Sequence, residues 1–544
     1  MSEKRLLLGD EAVALGALHA GLSGVYAYPG TPSTEITEYI QQSPLARERG
    51  VRSRWCTNEK TAMEAALGMS YAGKRALVCM KHVGMNVCAD AFVNAAVTGV
   101  KGGLVVLAAD DPSMHSSQNE QDSRFYGKFA MVPVLEPSDQ QEAYDMVAAA
   151  FALSEQLRLP VLMRLVTRLA HSRAAVQVGE PLSQNPLCPD DERTRWVLLP
   201  GNAKRQYASL VGKQPEIAAC AEGSRFNRLE MPDQVGHDTR HARLDRASLG
   251  VIAAGIAYNY VRESAPADLP VLKVSQYPLP ARQVRALAAQ CGRILVAEDG
   301  QPFVEEQVRA LLGPEFPVAG RLGGELPRTG ELTPDCVAAA LGVPGGAVFP
   351  PAAHLAARPP QLCQGCGHRD VYAALNEVVA EFPGARVFGD IGCYTLGALP
   401  PFRAIDSCVD MGASITMAKG AADAGLRPAI AVIGDSTFTH SGMTGLLDAV
   451  NDRSAITVII SDNLTTAMTG GQDSAGTHKY EAICLALGVE REHLHVVVPL
   501  PKNLPEITRI LREEIAYEGV SVIIPQRECM QTLGRKIRQK KEKA

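Results

Sequence analysis

The stretch 362–370, LCQGCGHRD, carries two cysteines at a spacing that serves several chemistries. Cys363 and Cys366 form a Cys-x-x-Cys pair, which can bind zinc, ligate an iron–sulfur cluster or take part in thiol–disulfide exchange. His368 is a possible further ligand if the metal is zinc. The pair alone leaves these alternatives open, so its chemistry depends on what the rest of the chain binds.

A second group of polar residues follows two predicted strands in AVIGDSTFTHSGMTGLLDAVNDRSAITVIISDN. One strand ends at Gly434-Asp435-Ser436 and the next ends at Asp462-Asn463, with a helix between them. Parallel strands end at one edge of a sheet, where α/β proteins bind ligands, so Asp435 and Asn463 should lie close together. Oxygen donors of this kind suit Mg²⁺, and Gly434 with the following helix N-terminus suits a diphosphate. A lone Gly-Asp after a strand is more often only a turn.

This segment resembles the thiamine diphosphate signature, in which Gly-Asp-Gly is followed downstream by paired asparagines. It departs from that signature at Ser436 and at Leu464, while the run TTAMTGGQ after Asn463 supports it. The resemblance implies Mg²⁺ ligands at Asp435, Asn463 and the backbone carbonyl of Thr465.

Thiamine enzymes also need a carboxyl group that binds the aminopyrimidine ring, and CTNEKTAMEAALGMSYAGK offers two candidates. Glu59 is preferred because Glu-x-x-Ala-x-x-Ala-Ala-x-Gly, from Glu59 to Gly68, matches the pattern of those enzymes. The alternative is that Glu59 only stabilises a helix N-terminus. Glu64, further along the helix, is expected to be structural.

The elements that must position these residues follow from the order of the chain. A length of 544 residues is too great for one core and indicates about three or four domains. Alternating strand and helix patterns predict parallel sheets covered on both faces. A Pro/Gly/Ala-rich linker, 342–361, precedes the last α/β domain. The predicted segments are an α/β domain (1–180), an irregular connection (181–247), a second α/β domain (248–345), a third (360–530) and a basic tail (531–544).

Composition excludes several classes of function. The net charge of −5, with 21% charged residues, does not fit a nucleic-acid-binding protein. There is no run near the roughly 18 apolar residues that a membrane span needs, and the N-terminus does not resemble a signal peptide. Thirteen scattered cysteines do not form a secreted disulfide framework, which predicts a cytoplasmic protein with reduced thiols.

Motifs along the whole chain resemble the alpha subunits of indolepyruvate:ferredoxin oxidoreductases, a branch of the thiamine-dependent 2-oxoacid:ferredoxin oxidoreductases. They are YPGTPSTEI, MKHVGMNVCAD, AADDPSMHSSQNEQDSRF, CQGCGHRD, FGDIGCYTLG, MGASI and GDSTFTHSGMTGL with TTAMTGGQ. The resemblance implies an α/β protein with two doubly wound thiamine-binding domains, the pyrimidine type at 1–180 and the diphosphate type at 360–530. It also implies a transketolase C-terminal-like α/β domain at 248–345.

The implied activity is oxidative decarboxylation of arylpyruvates, such as indolepyruvate and phenylpyruvate, to arylacetyl-CoA. Electrons would pass through one [4Fe–4S] cluster to ferredoxin or another acceptor, with coenzyme A as co-substrate. One alternative is a non-oxidative thiamine-dependent 2-oxoacid decarboxylase with a structural metal site. Another is a non-catalytic subunit that keeps the folds but does not bind thiamine diphosphate. Pyruvate-specific relatives use an arginine in the region of residues 109–111, and its absence here disfavours pyruvate.

The resemblance also assigns site residues. The cluster ligands would be Cys363, Cys366, Cys393 and Cys529. Thr31 would contact the substrate oxo group, although a turn residue that caps a helix is the alternative. Lys81 and His82 would bind the substrate carboxylate or act as acid and base, unless they are simply a surface pair. The implied cofactor-binding residues are Gly392, Gly412, Ala413, Ser414, Gly434, Asp435, Ser436, Asn463, Thr465 and Met468.

One departure concerns the electron path. Familiar alpha subunits end in a ferredoxin-like domain with repeated cysteine motifs, and no such motif follows Cys529 here. We therefore expect electrons to leave through a separate ferredoxin-like subunit or a soluble acceptor. A smaller beta subunit is expected as partner, in a dimer of heterodimers.

Overall fold

The structure is a computed structural model that describes residues 3–231, 249–266, 268–343, 355–356 and 359–543. It divides into two compact units, residues 1–350 (unit 1) and residues 351–544 (unit 2). Most of the predicted linker, 342–361, lies outside the described residues.

Unit 1 alternates strands and helices. Its strands are β1 (Glu3–Leu8), β2 (Gly24–Ala27), β3 (Arg52–Trp55), β4 (Ala76–Lys81), β5 (Leu104–Asp110), β6 (Val134–Leu135), β7 (Val161–Val166), β8 (Arg173–Val178), β9 (Arg228–Glu230), β10 (Leu249–Ala254), β11 (Val271–Val274), β12 (Gln276–Tyr277), β13 (Arg293–Ala297) and β14 (Val318–Ala319). Its helices are α1 (Gly9–His19), α2 (Thr34–Gln42), α3 (Pro44–Glu48), α4 (Glu59–Tyr71), α5 (His82–Thr98), α6 (Arg124–Ala130), α7 (Gln140–Leu157), α8 (Thr167–Ala170), α9 (Pro200–Gly212), α10 (Gln214–Glu222), α11 (Ala257–Ser264), α12 (Ala281–Ala288), α13 (Phe303–Leu312) and α14 (Pro334–Ala340).

The first sheet of unit 1 has the strand order β12-β6-β7-β5-β4-β2-β3 in the described residues. All neighbouring pairs are parallel except β12 with β6. Leu77 and Cys79 of β4 enter the hydrophobic core on one face, and Val78 and Met80 enter the core on the other. Because both faces of β4 are buried, its sequence is a continuous apolar run and does not alternate between apolar and polar residues.

The second sheet of unit 1, ordered β14-β13-β10-β11-β9, corrects one prediction. The segment 181–247 was expected to be irregular, but it contains α9, α10 and β9, and β9 pairs antiparallel with β11. Leu210 is the buried residue of α9, and Ile217 and Ala221 are those of α10. Because so few residues of α9 and α10 are buried, their sequence is mostly polar and lacks the apolar periodicity that indicates a helix.

Two fully buried arginines join the two sheets of unit 1. Arg164 of β7 pairs with Asp110 at 2.5 Å and with Glu136, and it donates to the carbonyl oxygen of Asp299 at 2.9 Å. Arg124 of α6 donates to the same carbonyl at 3.2 Å. Removing one member of such a network would leave a buried charge unpaired, at a cost of about 3–5 kcal/mol.

Unit 2 contains β15 (Arg386–Gly389), β16 (Ser407–Cys408), β17 (Ala429–Gly434), β18 (Ile456–Ser461), β19 (Leu494–Val497) and β20 (Val520–Pro525). Its helices are α15 (Gly367–Val379), α16 (Ala413–Asp423), α17 (Asp435–Thr437), α18 (Met443–Asn451), α19 (Tyr480–Ala486), α20 (Leu504–Ala516) and α21 (Met530–Lys543). A π-helical turn, Phe438–Gly442, links α17 to α18.

The sheet of unit 2 is parallel in the described residues, with the order β16-β15-β17-β18-β20-β19. Apolar side chains pack on both of its faces. The residues expected to form a basic tail, 531–544, are helical as far as Lys543, because the sequence is rich in helix-forming residues. No helix in the described ranges combines the length and the apolar character that a membrane span requires.

Candidate active site

The carboxyl edge of the sheet in unit 2 brings together the residues expected to bind Mg²⁺. Gly434 at the end of β17 is in register with Ser461 at the end of β18, so the two following loops are neighbours. The amide of Thr465 donates to Oδ2 of Asp435 and to Oδ1 of Asn463, both at 3.2 Å. Asp435, Asn463 and Thr465 therefore form one cluster of oxygen-bearing groups.

The charge balance of this cluster fits a cation. Asp435 is buried, and its pKa is raised well above the usual range by burial and by the neighbouring Asp462. Asp462 is held by the Leu464 amide at 3.0 Å and by the Gln526 side chain at 2.7 Å. Two adjacent buried carboxyl groups can both ionise only with a compensating positive charge, which a divalent ion with oxygen ligands would supply.

The four cysteines expected to ligate a cluster line one cavity of about 140 Å³ in unit 2. Asp462 and Asn463 line the same cavity, so it reaches one of the Mg²⁺ candidates, Asn463. Burial raises the pKa of Cys393 to about 12, and Cys529, Cys366, Cys363 and Asp435 add to the effect. The four thiols therefore lie close enough for the other three to affect the ionisation of Cys393. Bound metal would supply the positive charge that thiolates need there.

The four cysteines leave the two metal alternatives open. In the described part of the chain, no three of these four sulfurs lie within 4.8 Å of one another. Four thiolates can bind either a single zinc ion or an iron–sulfur cluster. The choice between them therefore depends on the reaction that the site supports.

His368 lines the same cavity, but its environment is that of a neutral imidazole. It is buried, and burial lowers its pKa to about 4. Its Nε2 meets no hydrogen-bond partner in the described residues, and its ring lies edge-on to Tyr394. These contacts place His368 at the wall of the cavity, beside the cysteines.

Three predicted cofactor-binding glycines have a packing role in this structure. A β-carbon at Gly392 or at Gly434 would fall 2.4 Å from the ring of Tyr394. Gly412, with φ 99°, directly precedes α16, and a β-carbon there would meet Ser441 at 2.5 Å. The glycines let Tyr394 and the π-helical turn approach the backbone closely, which the sequence pattern did not indicate.

The side chain of Asp390, which follows β15, lies against the first turn of α16, where Ala413 and Ser414 were expected to bind the cofactor. The Ser414 amide donates to Oδ1 of Asp390 at 2.8 Å, and the Ser414 hydroxyl donates to Oδ2. Burial raises the pKa of Asp390 to about 7. Both donors of Ser414 are thus engaged by a carboxyl group, so Ser414 orients Asp390 directly.

The other two predicted cofactor-binding residues of unit 2 differ in exposure. Ser436 is buried, and its hydroxyl accepts a hydrogen bond from the Thr466 hydroxyl at 3.1 Å. Met468 lies in the loop after β18 and is 53% exposed. The structure therefore places Ser436 within the packed edge of the sheet and Met468 at its surface.

In unit 1, Glu59 begins α4 and is buried, whereas Glu64 is exposed and paired with Lys60. The Glu59 carboxyl lies against Gly84 of α5, where an added β-carbon would be 2.8 Å from Oε1. Gly84 is thus the residue that makes room for the candidate catalytic carboxyl. It stands in the quoted motif MKHVGMNVCAD, but nothing in the spacing linked it to Glu59.

Lys81 and His82 lie at the junction of β4 and α5, and they are not the exposed pair that the alternative interpretation assumed. Burial lowers the pKa of Lys81 to about 8, and its Nζ donates to the Ser116 carbonyl at 2.8 Å. His82 is buried, and neither ring nitrogen meets a hydrogen-bond partner in the described residues. Burial leaves both residues with less solvation than a surface pair has.

Thr31 is half-buried in the loop between β2 and α2. The same loop approaches Lys81, because a β-carbon at Gly30 would fall 3.0 Å from Cβ of Lys81. Ser33, not Thr31, directly precedes α2, which removes the helix-cap alternative for Thr31. Thr31, in a loop, and Lys81, the last residue of β4, therefore lie close together at the carboxyl edge of the sheet in unit 1.

Comparison with known proteins agrees with this architecture. The family model "Pyruvate flavodoxin/ferredoxin oxidoreductase, thiamine diP-bdg" matches residues 15–201. The family model "Thiamine pyrophosphate enzyme, C-terminal TPP binding domain" matches residues 390–524. The fold and the two matched domains define a thiamine diphosphate-dependent oxidoreductase.

Full-length relatives give the particular family. The indolepyruvate oxidoreductase subunit IorA of Methanothermobacter thermautotrophicus is 38% identical, over 98% of this chain and 88% of that protein. The same subunit of Archaeoglobus fulgidus is 38% identical, over 97% of this chain and 86% of that protein. The chain belongs to the family of the indolepyruvate oxidoreductase subunit IorA, which confirms the resemblance seen in the motifs.

A solved structure supports the fold. A 2-oxoglutarate:ferredoxin oxidoreductase from Magnetococcus marinus, with 2-oxoglutarate, coenzyme A and succinyl-CoA bound, matches with a TM-score of 0.50 and 18% identity. The match covers 63% of this chain and 65% of that chain. The predicted α/β fold class is confirmed.

Proposed function

We propose that this chain catalyses the oxidative decarboxylation of arylpyruvates, such as indolepyruvate and phenylpyruvate, to arylacetyl-CoA. The reaction converts the 2-oxoacid anion and coenzyme A into the thioester and CO2, and it releases two electrons and one proton. One observation carries the proposal. The cavity lined by Cys363, Cys366, Cys393 and Cys529 is also lined by Asn463, one of the candidate Mg²⁺ ligands. An electron-accepting centre would then lie beside the bound cofactor.

Thiamine diphosphate, when bound, supplies a nucleophilic carbon that attacks the keto carbon and accepts the electron pair freed when CO2 leaves. Asp435, Asn463 and the Thr465 carbonyl would hold the Mg²⁺ that binds its diphosphate. Glu59 would hydrogen-bond its aminopyrimidine ring nitrogen and hold the proton there. A buried carboxyl fixed against Gly84 is suited to this task, because it is oriented before the ligand arrives.

The substrate would be bound by residues of unit 1. Lys81, with its pKa lowered to about 8, is largely protonated at neutral pH and would pair with the substrate carboxylate. Thr31 would donate to the oxo group from the neighbouring loop. We assign His82 to the same region as a candidate acid or base, since its ring nitrogens are buried without partners in the described residues.

The four cysteines would ligate one [4Fe–4S] cluster, a group that would supply a one-electron acceptor beside the cofactor. Four thiolates are the ligand set of such a cluster, and a reaction that releases electrons favours it over a zinc ion, which has no redox chemistry. The electrons would pass to ferredoxin or another acceptor, with a smaller beta subunit completing the enzyme as a dimer of heterodimers. The absence of an arginine at residues 109–111 favours a large aromatic side chain on the substrate.

The test is a product assay on protein purified without oxygen together with its partner subunit. Indolepyruvate, phenylpyruvate, pyruvate and 2-oxoglutarate are compared, with coenzyme A and an artificial electron acceptor. Arylacetyl-CoA from the first two substrates, abolished by Cys366→Ala and retained by Cys188→Ala at an exposed cysteine of unit 1, is the expected result. Aldehyde as the main product in both the parent protein and Cys366→Ala would instead establish a non-oxidative decarboxylase.

A further inference from the structure

Three residues of unit 1 converge outside the candidate active site. Asp10 lies in the first turn of α1, Glu35 lies in the first turn of α2, and His171 directly follows α8. One ligand atom from each of the three lies within 4.8 Å of the other two. Nε2 of His171 is 3.7 Å from Oε2 of Glu35. Three separate segments thus present two carboxyl oxygens and one imidazole nitrogen to one point.

Asp10 provides an independent indication of a ligand. It is fully buried, and neither of its carboxyl oxygens meets a hydrogen-bond donor in the described residues. Burial raises its pKa well above the usual range, and the charged neighbours that act on it, Glu35 and Glu11, have the same sign. A buried carboxyl group without donors is costly, so such groups are paired, protonated or bound to a metal.

We propose that Asp10, Glu35 and His171 bind a divalent transition-metal ion, with zinc as the first candidate. Zinc takes imidazole and carboxylate ligands and accepts three protein ligands with water in the fourth position. Mg²⁺ and Ca²⁺ favour sets made of oxygen alone, which the imidazole does not match. The side chains of Glu35 and His171 are about one third exposed (39% and 34%), which gives the ion a route from solvent.

A shared proton is the competing explanation. One proton between Asp10 and Glu35 would give a single oxygen of Asp10 a partner and leave the other without one. It would leave His171 interacting with Glu35 alone, at 3.7 Å, and not with Asp10. A metal ion uses all three side chains, which is why the geometry favours it.

The position of the site gives the ion a structural role. Glu35 follows Thr31 closely, and the Gly30 amide donates to the Thr34 hydroxyl at 3.1 Å, which ties the loop to the start of α2. An ion bound to Glu35 would link this loop to α1 and to the segment after α8. Metal occupancy would therefore hold in place the loop that bears Thr31.

The experiment measures zinc and iron in the purified protein by elemental analysis, then titrates zinc into chelator-treated protein by calorimetry. We expect about one zinc per chain, with Asp10→Asn and His171→Ala each weakening binding at least tenfold. Glu48→Gln, at an exposed glutamate of α3, should bind zinc like the parent protein. Zinc should also raise the melting temperature of the parent protein but not that of Asp10→Asn.

Two results would overturn the proposal. Zinc that is retained in His171→Ala and lost in Cys529→Ala would belong to the cysteines of unit 2. A parent protein that binds no zinc, together with an Asp10→Asn variant of higher melting temperature, would establish a protonated acid pair. Iron content and thiamine diphosphate binding are measured in the same samples, so failure of this site is distinguishable from failure of the proposed function.

Discussion

The carboxyl group of Glu59 lies against the backbone of Gly84, so closely that a β-carbon at residue 84 would fall 2.6 Å from Cγ of Glu59. The two residues come from the N-terminal turns of α4 and α5. A side chain at position 84 would have to displace the carboxyl group. Glycine at position 84 is therefore needed for the carboxyl group of Glu59, the candidate catalytic acid, to take up its position.

Gly84→Ala should reduce turnover by about 100-fold, because small displacements of a catalytic group have effects of this size. Gly68→Ala is the matched control, since nothing lies within 4 Å of a β-carbon at that position of α4. We expect the control to keep its activity and to gain up to about 1 kcal/mol of stability. Steady-state rates and thermal unfolding of both variants test this, and full activity in Gly84→Ala would show that the contact is unimportant.

Glu59→Gln should abolish turnover, with a loss of about 100-fold or more, because proton transfer through the carboxyl group is removed. Thiamine diphosphate affinity, measured by calorimetry, should change little, since unit 2 would bind the diphosphate. Glu64→Gln, on the exposed face of the same helix, serves as the control. Near-normal activity in Glu59→Gln would refute the assignment.

The substitution Asp435→Asn should distinguish an effect on cofactor binding from an effect on folding. The variant removes one of two neighbouring buried carboxyl groups, so the cofactor-free protein should melt at a temperature no lower than that of the parent. The increase in melting temperature on adding Mg²⁺ and thiamine diphosphate should disappear. Asp448→Asn, at an exposed position of α18, should keep the increase. An undiminished increase in Asp435→Asn would exclude Asp435 as a ligand.

The pH dependence of KM should report on Lys81. Because burial lowers its pKa to about 8, the ammonium group is present below that pH and is lost above it. KM for an arylpyruvate should therefore rise as pH increases through about 8. Lys81→Arg should keep KM constant to about pH 10, since arginine stays protonated. A rise in KM that persists in Lys81→Arg would assign the titration to another group.

Much of the site could be predicted because it follows the ends of adjacent parallel strands. Asp435 and Asn463 follow β17 and β18, and a strand–helix–strand pattern is enough to place them together. Asp462 stands beside Asn463 in the same motif, yet its influence on Asp435 depends on burial, which sequence spacing does not reveal.

Other features depend on packing between distant segments. Tyr394 fills the space beside Gly392 and Gly434, and Asp390 takes the donors of Ser414 at the start of α16. The polar helices α9 and α10 bury few residues, so no strong apolar period marked them. Each of these contacts joins side chains whose positions are fixed by the fold and not by local sequence.

The most direct test of the central claim follows the cysteine-bound cluster during a single turnover. Protein loaded with Mg²⁺ and thiamine diphosphate is mixed with indolepyruvate without oxygen, and the reduced cluster is detected by electron paramagnetic resonance. We predict a signal in the parent protein that is absent from Glu59→Gln and from Cys366→Ala. A protein with full iron content that decarboxylates indolepyruvate while its cluster stays oxidised would contradict the account.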